Sequence, residues 1–135
     1  DACVHHSSKL ASLVEVNCET DFVARTEEFA QLCHDVAMQV AATSPRWVSR
    51  KDVAEDVVEA QKTAYRAEMA AQNKPDHIME RIVEGKLNKF YRENCLLEQP
   101  FIKDDTKSIQ QLLTEAIAKL GENIVVKRFA RFQIG

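Results

Sequence analysis

Residues 14–25 read VEVNCETDFVAR. Val14 and Val16 alternate with Glu15 and Asn17, the period of a strand with one buried face. Cys18-Glu19-Thr20-Asp21 then changes the chemistry. Thr20 and Asp21 are turn and cap residues, and Phe22-Val23-Ala24-Arg25 opens a helix. The stretch is therefore a strand-to-helix corner with an aromatic side chain at the turning point. Two readings of Phe22 stand side by side. It is a first-turn anchor under the sheet, or it is a rigid surface anchor that fills a partner's pocket.

Upstream, residues 2–5 and 10–17 read as two strands, with His6-Ser7-Ser8-Lys9 turning a hairpin and Leu10, Val14 and Val16 on one face. Downstream, Thr26 is a further cap. Phe29, Leu32, Cys33, Val36, Ala37, Val40 and Ala41 then recur at i, i+3, i+4, i+7 and i+8, an apolar helix stripe that ends at Ser44-Pro45. After Arg46-Trp47-Val48-Ser49, a second helix repeats Val53, Val57, Ala60, Ala64, Ala67 and Ala71 in steps of four and three, a narrow alanine seam. Asn73-Lys74-Pro75 turns the chain, with Pro75 suited to the first position of a third helix bearing Ile78, Met79, Ile82, Val83, Leu87 and Phe90. These two helices predict an antiparallel hairpin over about residues 51–92 that projects from the body.

Residues 96–102 read as extended, and Asp104, Asp105 and Thr106 as the start of a fourth long helix with Ile109, Leu112, Leu113, Ala116, Ile117 and Leu120 buried. Gly121 ends it. Residues 123–134 have strand composition, with Ile124, Val126, Ala130 and Phe132 on one face and Lys127, Phe129, Arg131 and Gln133 on the other. The expected fold is α+β. A small three-stranded antiparallel sheet is backed by helices and carries the projecting hairpin, all within one unit over residues 1–135.

Bulk properties narrow the function. The chain has 135 residues, 45% hydrophobic and 29% charged, and a net charge of −3. That balance argues against direct nucleic-acid binding, and no apolar run suits a membrane span. The sequence opens at Asp1 without Met, so we expect a fragment or a processed product. Cys3, Cys18, Cys33 and Cys95 are widely spaced and expected to be reduced. Cys3, His5 and His6, with Cys33 and His34, do not have the spacing of a zinc site, so no metal is expected. A thiol site of Cys18 with Asp21 and His5 or His34 lacks any recognisable oxyanion element. Among three glycines there is no phosphate-binding loop. Lys127, Arg128 and Arg131 read as a solvated sheet edge.

LVEVNCETDFVAR, followed by EEF, resembles the signature region of the elongation factor Ts family. KPDHIMERIVEGKLNKFYRENCLLEQPFIKDDTKSIQQLL resembles a second family block and GENIVVKRFARFQIG the terminal strand, in the same order. The resemblance implies a guanine nucleotide exchange factor for elongation factor Tu, met in its GDP-bound and nucleotide-free forms, with no covalent chemistry and no cofactor. Thr20-Asp21-Phe22-Val23 matches the family's TDFV motif. There the Asp and Phe contact the partner's nucleotide-binding domain, and the Phe wedges between helices and disturbs the Mg²⁺ site and phosphate loop. His5 matches a His at the family's YxH hairpin start, which meets another partner domain, although the turn after it is His6-Ser7-Ser8 rather than Pro-Gly-Gly. The resemblance leads us to expect a form without the family's N-terminal helical module and with one core subdomain, where some members have two. This compact form resembles members from cyanobacteria, plastids and some other bacteria. It implies a cytoplasmic, stromal or matrix location and a homodimer. The alternative is a non-catalytic module of this fold that binds elongation factor Tu or the ribosome within a larger protein.

Overall fold

Strand β2 (Leu10–Asn17) is central in a three-stranded antiparallel sheet because both neighbours bond to it. The computed structural model describes residues 1–135. On one side lies β1 (Ala2–Val4), with Cys3 opposite Ser12. On the other lies β5 (Val125–Gln133), so the two ends of the chain meet across β2. A second, two-stranded ribbon joins β3 (Pro100–Phe101) to β4 (Asp104–Ser108). The helices are α1 (Asp21–Ala24), α2 (Glu27–Thr43), α3 (Glu55–Met69), α4 (Asp76–Asn94) and α5 (Ile109–Leu120). The architecture is the expected α+β.

Helix α2 lies across the inner face of the sheet. Its Val36, Ala37 and Val40 are completely buried, with Leu96 and Ile109 closing the core from the other side. Two polar groups are built into this core with their bonds made, as burial requires. The Ser12 hydroxyl donates to the Ala37 carbonyl at 2.6 Å. The Gln39 amide donates to Gln99 and to the Pro100 carbonyl and accepts from the Ile102 N–H, fixing the β3–β4 ribbon to α2.

The facing of β5 differs from the expected alternation. Glu15 pairs with Arg128 but Val16 pairs with Val126, so Lys127 is an extra, bulged residue. A bulge reverses which face follows. Ile124 and Val126 therefore point into the core with Phe129, while Phe132 points outward and is 71% exposed. The start of α5 also differs. Asp104, Asp105 and Thr106 belong to β4, and the cap is Ser108, which accepts from the Gln111 N–H while the Gln111 side chain accepts from the Ser108 N–H. That reciprocal capping box lies next to the apolar stripe and outcompetes the acidic run before it. Residues 96–98 form a tight 3-10 turn rather than extended chain.

Helices α3 and α4 make an antiparallel hairpin. Its base is a small second core of Val53, Leu87, Phe90, Tyr91 and Cys95, against which Trp47, Val57, Val58 and Tyr65 pack. The expected alanine seam is not the contact face: Ala60, Ala64, Ala67 and Ala71 are exposed. Burying the larger Val58, Tyr65 and Met69 removes more apolar area from water, and that sets the rotation of α3. Arg66–Glu80 and Lys86–Glu68 ion pairs cross between the helices farther out. Pro75 caps α4 from outside its first turn.

Candidate functional site

Helix α1 has only four residues, too few to be stable by itself. Its order comes from what holds each end. At the start, Thr20 is in extended conformation, and its hydroxyl oxygen accepts from the Val23 N–H at 3.3 Å. Val23 is 4% exposed and inserts into the main core. At the end, Thr26 donates its hydroxyl to the Val23 carbonyl at 2.7 Å and accepts from the Phe29 N–H, so the cap of α2 also closes α1. Cys18 donates its thiol to the Thr20 carbonyl at 3.3 Å.

Phe22 sits between these fixed points and is 81% exposed. The inward place in the turn is taken by Val23, so Phe22 points outward. A large apolar ring so exposed on a rigid corner is an uncommon use of surface. Asp21 is exposed beside it in the first turn. Phe22 is thus at the surface, and the core-anchor role belongs to the next residue.

Opposite the corner, the turn after α5 supplies a carboxylate that the sequence patterns do not single out. Glu122 accepts from the Glu19 N–H at 3.1 Å, the Thr20 N–H at 3.0 Å and the Thr20 hydroxyl at 2.6 Å. Glu19 in turn accepts from the Asn123 N–H at 2.9 Å. A partner about a hundred residues away has no periodicity to reveal it. The only local hint is that Glu122 follows a helix-ending glycine, Gly121, in left-handed conformation.

A profile of the family described as elongation factor TS matches residues 2–135. The chain belongs to the elongation factor Ts family. Elongation factor Ts of Thermosipho melanesiensis is 55% identical over 132 residues, covering 98% of this chain and 67% of its own length. That of Moorella thermoacetica is 53% identical over 134 residues, covering 99% and 66%. That of Caldanaerobacter subterraneus is 52% identical over 135 residues, covering 100% and 68%. The chain spans about two thirds of the length of these relatives.

Within this family fold, the candidate residues do not all converge. Thr20, Asp21, Phe22 and Val23 form one corner at the end of β2. His5 lies in the turn before the start of β2, its ring nitrogen 2.9 Å from the Ser7 hydroxyl. Eight residues of strand separate the two places, roughly 25 Å at strand rise. His5 and the corner therefore lie at separate places on the surface. The histidine ring lies 4.0 Å from that of His6, and Ser8 turns the loop with φ 59°.

The thiols divide by environment. Burial pushes the Cys33 thiol up and the Cys95 thiol up to about 11. Such groups stay protonated at neutral pH and suit packing rather than nucleophilic chemistry. No group of three His, Cys, Asp or Glu side chains converges on a cation-sized space. No helix is long and apolar enough to cross a membrane.

Proposed function

We propose that the chain promotes release of GDP from elongation factor Tu by inserting the Thr20-Asp21-Phe22-Val23 corner beside the Mg²⁺ and phosphate site of that GTPase. The observation that carries this reading is the 81% exposure of Phe22 on a corner braced at both ends. Family membership supports the same partner and role. Phe22 is the wedge, Asp21 a polar contact beside it, Thr20 the cap that aims the turn and Val23 the buried foot. His5 is a second contact on another domain of the partner.

The physics of exchange needs only binding energy. Mg²⁺ requires near-ideal octahedral geometry, so a small displacement of its ligands weakens it. Nucleotide phosphates rest on backbone N–H groups at a loop and helix start, and moving that loop loses several bonds together. Linkage then fixes the reciprocity: the factor weakens GDP by the same ratio by which GDP weakens the factor. No covalent bond changes, so no catalytic acid, base, nucleophile or cofactor enters. The place of action is wherever elongation factor Tu works, in the bacterial cytoplasm or an organelle stroma or matrix.

A homodimer is a second part of this reading, carried by the outer face of the sheet. Val4 and Phe132 flank Ala11, and Leu13 lies between Ala2 and Ala130 in the paired register. Val4, Leu13 and Phe132 are 67%, 59% and 71% exposed, side by side. A second copy of the same sheet would cover them and supply the second core subdomain. The competing reading is a module that binds elongation factor Tu or the ribosome within a larger protein without accelerating exchange. Release of a fluorescent GDP analogue from elongation factor Tu separates the two. Acceleration supports the exchange factor, and tight binding without acceleration supports the module.

A further inference from the structure

Glu122 stands outside the corner yet makes two hydrogen bonds to Thr20, its first residue. Its carboxylate collects three donors from two consecutive residues, Glu19 and Thr20, at the entry to the corner. We propose that Glu122 is the positioning residue that sets the aim of Phe22, acting through the Thr20 hydroxyl. This rests on the exchange reading above.

The position of a single hydrogen atom decides the cap. A threonine hydroxyl donates once and accepts through its lone pairs. Here the donation goes to Glu122, at 2.6 Å. The oxygen is then left facing the Val23 N–H as a pure acceptor, which is what capping α1 requires. Glu122 thus fixes a rotor, the rotor fixes the first turn, and the first turn carries Phe22. Glu19 closes the latch from the other side on the Asn123 N–H. The turn that presents Glu122 is itself anchored, because Ile124 and Val126 just beyond it are buried in the main core.

The chemistry also explains why this residue is an acid. Every group directed at the carboxylate is a donor. In Glu122→Gln one end of the side chain becomes an N–H₂ group. With the amide oxygen on the two backbone N–H groups, the N–H₂ end donates to the Thr20 oxygen, so the charge is gone and the hydroxyl hydrogen is no longer held; with the amide turned over, a donor faces two backbone donors. The substitution is nearly isosteric, so the fold should survive while the charge-assisted hold on the hydroxyl is lost.

The test uses four forms of this chain: wild type, Glu122→Gln, Phe22→Ala and the double variant. In Glu122→Gln, hydrogen exchange at the Thr20 and Val23 amides should rise about tenfold, the size of one charge-assisted bond lost. At saturating factor, the maximal rate of GDP release from elongation factor Tu should fall about tenfold by the same reckoning. A merely structural loss would shrink the folded fraction, raise the half-saturating concentration and leave that maximum unchanged. In the Phe22→Ala background, Glu122→Gln should add nothing, because there is no ring left to aim. An equal further loss in that background, or an unchanged maximum in the single variant, overturns the positioning role. Unchanged Thr20 and Val23 amides in Glu122→Gln overturn the latch alone. A Phe22→Ala chain that releases GDP as fast as wild type overturns the exchange reading itself.

Discussion

Replacing Thr20 with Ala removes one oxygen that serves two bonds, and its cost can be worked from the structure. The cap to the Val23 N–H is worth about 1 kcal/mol. The bond to the Glu122 carboxylate falls in the class worth about 1.5–3 kcal/mol. The low end applies, because Glu122 is only half-buried and keeps two backbone donors. The sum, discounted for water that replaces the hydroxyl, is about 2 kcal/mol. At 1.36 kcal/mol per factor of ten, that is roughly a thirtyfold larger open population of the corner. The effect should stay local, since α1 contributes only Val23 to the core. Hydrogen exchange followed by NMR reads it directly: the Val23 amide should exchange roughly thirtyfold faster, while the amides of Val36 and Val40 in α2 should not change. Thr20→Ser keeps the oxygen and should restore protection to within about threefold, the cost of a changed rotamer preference. An unchanged Val23 amide in Thr20→Ala would refute the idea that this hydroxyl braces the corner.

Three other outcomes follow from separate parts of the molecule. If the outer sheet face pairs with a second copy, Phe132→Ala should weaken the dimer about a thousandfold, because an anchor worth about 2 kcal/mol is lost twice; sedimentation equilibrium would detect this, and an unchanged dimer would move the interface elsewhere. Gln39→Leu strands the Pro100 carbonyl and the Ile102 N–H and should cost about 3 kcal/mol in urea unfolding, whereas a cost under about 1 kcal/mol would mean that the ribbon is held by other contacts. Burial disfavours a thiolate and so raises a thiol pKa, which puts Cys95 at about 11 and Cys33 above its ordinary value. Alkylation near pH 8 read by mass spectrometry should therefore modify Cys3 and Cys18 first, and early labelling of Cys95 would contradict the packing described for the hairpin base.

Most of the fold was legible because it rests on short-range periodicity. The strand alternation at Val14 and Val16 and the helix stripe from Phe29 to Ala41 each reappear as core-facing sides, with Val16 only partly buried. What was missed depends on events that periodicity does not encode. The Lys127 bulge reverses the facing of Phe132, yet only the partner strand reveals it. The alanine stripe of α3 has coiled-coil spacing, but larger residues on the neighbouring face win the contact with α4. The acidic run 104–106 has capping chemistry, but the Ser108–Gln111 pair sits one turn closer to the apolar face.

The site divides the same way. The TDFV corner stands out locally because cap residues and an aromatic share one turn. The residues alone left Phe22 open between core and surface. Val23 decides the matter by occupying the inward position. Glu122 was invisible because its partners lie 102 and 103 positions away. His5 comes from the resemblance alone, which sets it against another domain of the partner, and the length of β2 keeps it away from the corner.

In the proposed mechanism, one exposed ring on a braced corner drives nucleotide release. The direct test is stopped-flow release of fluorescent GDP from elongation factor Tu, with wild-type chain and Phe22→Ala at saturating concentration. The wild type should accelerate release, and Phe22→Ala should lose roughly thirtyfold, the effect of removing an interface anchor worth about 2 kcal/mol. Full acceleration by Phe22→Ala would contradict it.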